Sequence, residues 1–111
     1  MTKLPNPRDA IVDIRKLHDY CLSPHHPRGR HKAMVFASAL GLAADDAERL
    51  REALLSAARS EEASATESDE YGERYVLDFE MKTEAGTATV RSGWIVRCDE
   101  GFPRFTSCWV L

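Results

Sequence analysis

The chain has 111 residues, of which 43% are hydrophobic and 30% are charged, a balance typical of one globular domain and not of a disordered segment. No apolar run approaches the roughly 20 residues that a membrane-spanning helix needs. The net charge of −3 argues against broad, non-specific binding of nucleic acid, because such binding depends on neutralising phosphates.

The charge is unevenly distributed along the chain. Residues 1–36 carry seven Lys or Arg and three Asp or Glu, a balance of +4, whereas residues 37–111 carry eight and fifteen, a balance of −7. The basic part leaves room for one local anion site, and it is equally suited to docking an acidic partner.

The first half of the chain is predicted to be helical. Residues 10–12 are expected to form a very short strand, and Asp13 is a candidate N-cap for a helix that ends near Leu22. Positions 14, 17, 18 and 21 share one face of that helix, so His18 is expected to be a hydrogen-bonded core residue. A second helix is predicted from about residues 29–31 to residue 40, with Gly41 as its stop. Because it is apolar nearly all round, it is expected to be buried.

A third helix is predicted to begin with the carboxylates at positions 45–48, and Asp45 and Arg49 are placed to form an ion pair one turn apart. Residues 60–70 lack aromatic residues and hydrophobic periodicity. They are predicted to form a flexible acidic loop within a single domain that spans residues 1–111.

After residue 70 the hydrophobic period changes to two residues, which predicts three strands over about residues 74–82, 88–97 and 105–111. The predicted fold class is therefore α+β, with about three N-terminal helices packed on a three- to four-stranded antiparallel meander sheet. The alternation turns Leu77, Phe79, Val90 and Trp94 towards the helices, and it leaves Asp78, Glu80, Arg91, Arg97, Arg104 and Thr106 on the outer face.

The outer face admits two interpretations. Arg91 opposite a carboxylate is most simply a cross-strand ion pair on a solvated surface. The alternative is an open groove in which Glu80 is a base, Arg91 is a guanidinium clamp and Thr106 supplies a hydroxyl. These are the groups that a metal-independent phosphodiester-cleaving site needs.

The stretch SPHHPRGRHKAMVF, residues 23–36, concentrates basic side chains at the start of the second helix. Arg28, Arg30, His31 and Lys32 oppose the helix dipole, since a helix N-terminus already carries partial positive charge. A bound anion would resolve this conflict, so Arg28, Arg30 and Lys32 are candidate anion-binding residues. A solvated, salt-screened cluster is the alternative. Lys32 is expected to matter most, because it lies one turn before the core-facing position 36.

The cysteines and histidines raise the question of a metal. Cys21, His25, His26 and His31 have a spacing that matches no common zinc arrangement, so neither a metal nor any other cofactor is expected. His25 and His26, between two prolines, are expected to stay solvated. Cys98 and Cys108 flank one turn and could approach each other, but nothing in the sequence indicates the lowered pKa that a nucleophilic thiol needs. Three cysteines, an odd number, favour reduced thiols and a cytoplasmic location.

The segments LPNPRDAIVDIRKLHDYCLSPHHPRGRHKAMVFASALGL, YGERYVLDFEM, VRSGWIV and FPRFTSCWVL resemble an uncharacterised bacterial domain family. Members occur as small stand-alone proteins and, in divergent form, at the C-terminal ends of phage head-morphogenesis and polymorphic-toxin polypeptides. That context is similar to the barnase–EndoU–colicin–RelE group of small ribonucleases. The most specific part of the resemblance is the Ser23-Pro24 turn, then His26-Pro27, Gly29, Lys32, Ala33 and Phe36.

Two functions are therefore expected. The first is a metal-independent ribonuclease of toxin type that acts on RNA phosphodiesters and is restrained by a cognate inhibitor. The second is a non-catalytic interaction module of toxin–antitoxin or immunity type, whose basic edge docks a partner protein. No membrane partner is expected, and exposed sheet edges allow a homodimer. In the first function Arg28, Arg30 and Lys32 hold phosphate, His31 is the general acid or base, Arg91 stabilises the phosphorane, and Glu80 and Thr106 give support.

Overall fold

A computed structural model describes residues 2–111 and shows three helices followed by a four-stranded antiparallel sheet in the order β1-β2-β3-β4. The predicted α+β class is confirmed. None of the described helices is long and apolar enough to cross a membrane. The helices are α1 (Ile14–Lys16), α2 (Arg30–Leu40) and α3 (Ala47–Ser60), and the strands are β1 (Ala63–Asp69), β2 (Gly72–Thr83), β3 (Gly86–Arg97) and β4 (Pro103–Val110).

The first helix begins where predicted but soon changes its geometry. Asp13 caps it, because its carboxylate accepts a hydrogen bond from the Arg15 N–H at 3.0 Å. The chain then continues as a π-helix over Leu17–Cys21, which we call the π-segment, and ends at Leu22. The wider turn keeps both end residues of the π-segment buried but leaves 57% of the His18 side chain exposed. The prediction that His18 is a core residue is therefore wrong.

α2 has the predicted limits but not the predicted burial. Gly41 ends it with a φ of 65°, the left-handed conformation that glycine adopts most easily. Met34 is 62% exposed and Val35 is 44% exposed, so the prediction of a helix buried all round is wrong. One side of α2 packs on the sheet and the other faces solvent. The buried residues are Ala33, Phe36 and Leu40.

α3 is preceded by a short 3-10 turn over Ala44–Asp46, and one face of it is buried at helical spacing: Ala47, Leu50, Leu54, Ala57 and Ala58. Arg49 does not pair with Asp45. Its guanidinium instead donates to both carboxylate oxygens of Glu84, at 2.9 and 3.0 Å, in the turn between β2 and β3. The predicted pair within the helix is therefore wrong, because the Glu84 carboxylate in the β2–β3 turn offers a two-point contact.

The predicted acidic loop over residues 60–70 is replaced by the end of α3 and by β1. Every side chain of β1 except that of Ala63 is exposed, which explains why its sequence shows no hydrophobic alternation. Backbone pairing with β2 holds the strand in place. The tight turn that follows is fixed by the Asp69 carboxylate, which accepts hydrogen bonds from the Tyr71 and Gly72 N–H groups at 2.9 and 3.2 Å.

The sheet has the predicted inner face, since Leu77, Phe79, Val90 and Trp94 are at most 7% exposed. The short strand predicted at residues 10–12 is a single parallel bridge between Ile11 and Arg104. This bridge covers one end of the free edge of β4. The π-segment and α2 pack against β4 as well.

Candidate functional site

Two separate elements converge on one short stretch of β4. Cys21, the last residue of the π-segment, has its Sγ 3.9 Å from the hydroxyl oxygen of Ser107. Lys32, in the first turn of α2, has its Nζ 4.7 Å from the centroid of the Trp109 ring. Cys108 lies between these two contacts in the sequence. We call these five residues the β4 cluster.

Helical spacing explains the direction of Lys32. It lies four residues before Phe36, which is fully buried against the sheet, so the two side chains share one side of α2. The aliphatic stem of Lys32 is half-buried, and its ammonium reaches the aromatic face of Trp109, where a cation–π contact forms. The structure thus places the Lys32 ammonium at the sheet edge, as the spacing predicts.

Cys21 and Cys108 are both fully buried in the hydrophobic core. The Cys108 side chain is the largest influence on Cys21, and together with the Ser107 hydroxyl and the nearby Lys32 charge it lowers the pKa of Cys21 to about 7. The Cys21 side chain, with burial, raises the pKa of Cys108 well above its ordinary value.

Arg91 lies beside this cluster on the outer face of the sheet. It is directly opposite Trp109 on β4 and directly opposite Asp78 on β2. Its Nε and Nη2 donate to both carboxylate oxygens of Asp78, at 2.8 and 2.9 Å, and this contact lowers the pKa of Asp78. The predicted cross-strand ion pair is confirmed. The side chain of Arg91 is still 40% exposed, so part of its guanidinium faces solvent.

Two of the predicted site residues lie outside the β4 cluster. Glu80 is exposed on β2 and is opposite Thr89 in the ladder, not opposite Arg91. Thr106 lines a separate cleft of about 590 Å³, together with Lys16 and Arg97. The structure therefore does not bring Glu80 and Thr106 together with Arg91 in a single groove.

The basic loop before α2 has one structural residue and several exposed ones. The Nδ1 of His26 accepts hydrogen bonds from the Arg28 and Gly29 N–H groups, at 3.1 and 3.2 Å, and its ring packs edge-on against Tyr20 at 4.5 Å. His26 thus satisfies N–H groups at the start of α2, as an N-cap side chain does. The prediction that it stays solvated is wrong, whereas His25 is exposed as predicted.

The remaining basic residues at the start of α2 face solvent. Arg28, Arg30 and His31 are exposed. His31 precedes Lys32 by one residue, which rotates it by about 100° around the helix and away from β4. Among the described residues no group of three or more His, Cys, Asp or Glu could hold a metal ion.

An apolar groove of about 510 Å³ lies on the other side of α2. His18 and Asp19, whose Nδ1 and Oδ1 atoms are 2.7 Å apart, lie at its rim with Asp45. The wider turn of the π-segment puts His18 there, and no sequence signal announces such a turn. The apolar lining includes Leu22, Pro24, Ala33, Met34, Ala37 and Leu42.

Sequence reasoning missed Ser107 and Trp109. Cys98 is exposed and its Sγ donates to the Glu70 carbonyl at 3.3 Å, whereas Cys108 is buried. The structure therefore does not bring Cys98 and Cys108 together. Alternation from Arg104 and Thr106 on the outer face would put position 108 outside as well. The pairing with β3 shifts its register between Gly93 and Trp94, so Cys108 is instead buried and Trp109 pairs with Arg91.

The sequence of the chain was compared with protein families and with curated proteins. No curated protein matches the chain significantly. A family model described as a domain of unknown function, DUF6883, matches residues 3–111, a range that includes the β4 cluster, the basic loop and the groove. This agrees with the resemblance to an uncharacterised domain family. The chain belongs to the DUF6883 family.

Proposed function

We propose that the chain is a small metal-independent ribonuclease-like domain that binds RNA along the far end of β4. The supporting observation is one cation against an aromatic ring, with a second cation at the facing position of the next strand. The Lys32 ammonium lies against the Trp109 ring, and Arg91 is the cross-strand neighbour of Trp109. Proteins that bind single-stranded RNA combine cations that follow the phosphates with aromatic rings that contact the bases.

In this proposal Lys32 and Arg91 hold one phosphate between α2 and the sheet. Asp78 keeps the Arg91 guanidinium fixed, so little reorganisation is needed when charge develops on a transferring phosphate. Arg28 and Arg30 extend the cationic path into solvent, and His31 has no role at this phosphate, because it faces away from β4. Glu80 and Thr106 have no role, because they lie apart from the β4 cluster. We place the protein in the cytoplasm, where buried thiols stay reduced.

The test is cleavage and binding of a single-stranded RNA in the presence of EDTA, with the wild type, Lys32→Ala and Lys82→Ala. Lys82 is exposed on β2, so its removal changes the net charge equally but lies away from β4. Lys32→Ala should weaken RNA binding by about 1.5–3 kcal/mol, the scale of a charge-assisted hydrogen bond, whereas Lys82→Ala should bind normally.

Unfolding measurements provide the necessary control. Losing the cation–π contact should cost about 0.5–1 kcal/mol, so Lys32→Ala should remain folded. If the wild type neither binds nor cleaves any RNA in EDTA, the proposal is wrong. Equal binding by both variants would remove Lys32 from the site.

The apolar groove favours a second candidate, a non-catalytic module that binds a partner protein. Met34 lines this groove and exposes 62% of its surface, which is common for a side chain at an adaptable binding surface. Expression in bacteria discriminates between the two candidates. A ribonuclease should arrest growth unless an inhibitor is co-expressed, whereas a binding module should be tolerated.

A further inference from the structure

The solvent-facing side of α2 and the apolar groove beside it form one continuous surface without charge, which we call the α2 surface. No residue between Lys32 and Asp45 is charged, although 30% of the whole chain is. Met34 lines the groove and is 62% exposed. The exposed helical residues of the α2 surface are Met34, Val35, Ala37 and Ser38. We propose that the α2 surface is the interface of a homodimer, in which α2 of a second copy packs antiparallel across it.

Exposed apolar side chains are common on monomeric proteins, and single ones need no explanation. The α2 surface differs because its exposed residues continue into a groove of about 510 Å³ with a mostly apolar lining. A surface helix of a globular protein usually carries charged residues on its solvent side. An uncharged solvent side of this extent favours contact with another apolar surface.

The two ends of the α2 surface carry opposite charges. At the N-terminal end, Arg28, Arg30 and His31 are exposed, and the first turn of α2 has no acidic residue. Beyond the C-terminal end, Asp45 is exposed at the rim of the groove. Within residues 2–111 neither Arg30 nor Asp45 has an ion-pair partner. Both charges are therefore available to a second molecule.

A two-fold axis through the middle of α2 makes these charges complementary. α2 has 11 residues and is about 16 Å long, and Met34 lies near its centre. A second copy rotated about this axis runs antiparallel, so its Asp45 lies beside Arg30 and its Arg30 lies beside Asp45. Such an interface is isologous, because both copies use the same surface. It also brings the negative end of one helix dipole to the cations that oppose the dipole of the other.

Met34 supplies the apolar contact at the centre of this arrangement. It lies one turn after Arg30, so the two side chains share one side of α2. The thioether side chain is flexible and enters the groove of the second copy, where the small side chain of Ala37 leaves room for it. Each copy thus provides both an inserted side chain and the groove that receives it.

The dimer is compatible with the proposed RNA site. Lys32 lies on the side of α2 that faces β4, so Lys32 and Arg91 stay outside the interface. Arg30 is engaged by the second copy, and Arg28 then extends the cationic path alone. The inference uses the groove of the second candidate function and commits to a second copy as its occupant. It does not depend on RNA binding or cleavage.

The test is sedimentation velocity of the full chain from about 1 µM to about 1 mM, a range suited to an interface below the standard size. The wild type should form a dimer as its concentration rises. Arg30→Glu and Asp45→Arg should each weaken the dimer by about tenfold or more, because the symmetry turns both contacts into like-charge pairs. Arg30→Glu removes a cation from a helix N-terminus, so it should not unfold the chain.

Lys82→Glu is the matched control for Arg30→Glu. It changes the net charge equally, at an exposed position of β2, and it should dimerise as the wild type does. Met34→Lys should weaken the dimer, because it puts a charge at the apolar centre of the interface. Met34 is exposed, so this substitution should leave the fold intact.

An equimolar mixture of Arg30→Glu and Asp45→Arg tests the two-fold arrangement itself. In the mixed dimer the two introduced charges pair with each other, and so do the two native ones. The mixture should therefore dimerise at concentrations where each variant alone is monomeric. Such a rescue also shows that both variants are folded.

Three results would overturn the proposal. A wild type that stays monomeric over the whole range would leave the groove to a different protein. A dimer that is unchanged by Met34→Lys and by both charge variants would point to pairing through a sheet edge. A mixture that remains as monomeric as its two components would exclude the contact between Arg30 and Asp45.

Discussion

Gly29 packs directly against the backbone of Tyr20, so closely that a Cβ on Gly29 would lie 2.4 Å from the Tyr20 carbonyl oxygen. The φ of Gly29 is −93°, a value that any residue adopts, so glycine is required here for space and not for backbone freedom. This contact allows the proline-rich loop to fold back on the π-segment and directs the start of α2 towards β4.

We expect Gly29→Ala to lower the free energy of unfolding by about 1–3 kcal/mol, because the added methyl group meets main-chain atoms that cannot rotate away. Urea denaturation measures the change. Gly101→Ala is the matched control, since a Cβ there would be 3.7 Å from its nearest neighbour, an ordinary contact. Equal stability of the two variants would show that the loop adjusts without cost.

Substitutions of His26 and His25 provide a second matched pair of variants, one expected to lower stability and one expected to leave it unchanged. His26→Ala removes the acceptor for the Arg28 and Gly29 N–H groups and the contact with Tyr20. We expect a loss of about 1 kcal/mol, the scale that N-cap side chains contribute, and less helical circular dichroism at intermediate urea. His25→Ala should change stability by less than about 0.5 kcal/mol, because His25 is exposed. A larger loss for His25 would contradict this assignment of the two histidines.

Ser92 satisfies two buried polar groups at once. Its hydroxyl accepts a hydrogen bond from the Trp94 Nε1–H at 2.9 Å and donates one to the Leu77 carbonyl at 2.8 Å. Ser92→Ala should cost about 1–3 kcal/mol, because the indole N–H is left buried and unpaired. Ser64→Ala, on an exposed position of β1, serves as the neutral control. Equilibrium unfolding followed by tryptophan fluorescence measures both, and equal midpoints would rule out this role for Ser92.

The Arg49–Glu84 pair predicts a specific acid dependence. The two-point contact with Arg49 lowers the pKa of Glu84 from 4.5 to about 2. Because the pKa is lower in the folded state, the pair stabilises the fold above pH 4.5, and this contribution is lost as the pH falls towards 2. As the pH falls from 4.5 to about 2, the melting temperature of Glu84→Gln should therefore decrease less than that of the wild type.

Arg49→Met tests the same cause from the other side of the ion pair. It should show the same shallow pH dependence as Glu84→Gln, and the double variant should show no further change. Both groups are substantially exposed, so high salt should reduce the difference from the wild type. A wild-type pH dependence in Arg49→Met would mean that Arg49 does not set the ionisation of Glu84.

The parts of the fold that follow from hydrophobic periodicity were predictable. The inner face of α3 and the alternation of β2 and β3 depend on residues close together in the sequence, and their burial matches the pattern. β1 was not predictable in this way. It is a polar edge strand that forms because β2 offers it backbone hydrogen bonds. Its exposed side chains show no sequence pattern that would indicate this pairing.

In the candidate site, too, the local features were predictable from the sequence and the contacts between distant residues were not. Helical spacing alone gave the direction of Lys32, since Phe36 lies one turn away. The contact between Cys21 and Ser107 joins residues 86 positions apart, and it depends on the order of the strands and on the π-segment. Neither the order of the strands nor the π-segment can be recognised in a single sequence, so only the structure identifies the β4 cluster.

The parallel bridge between Ile11 and Arg104 has a consequence for the order of folding. The three hairpins of the sheet join neighbouring strands and close short loops, whereas this bridge must bring together the two ends of the chain. The N-terminal segment therefore docks last and detaches first when the native state opens locally. Each detachment exposes unpaired N–H and C=O groups of β4, which are a template for another chain. Residues 2–12 thus protect this part of the β4 edge from aggregation, but only while they remain attached.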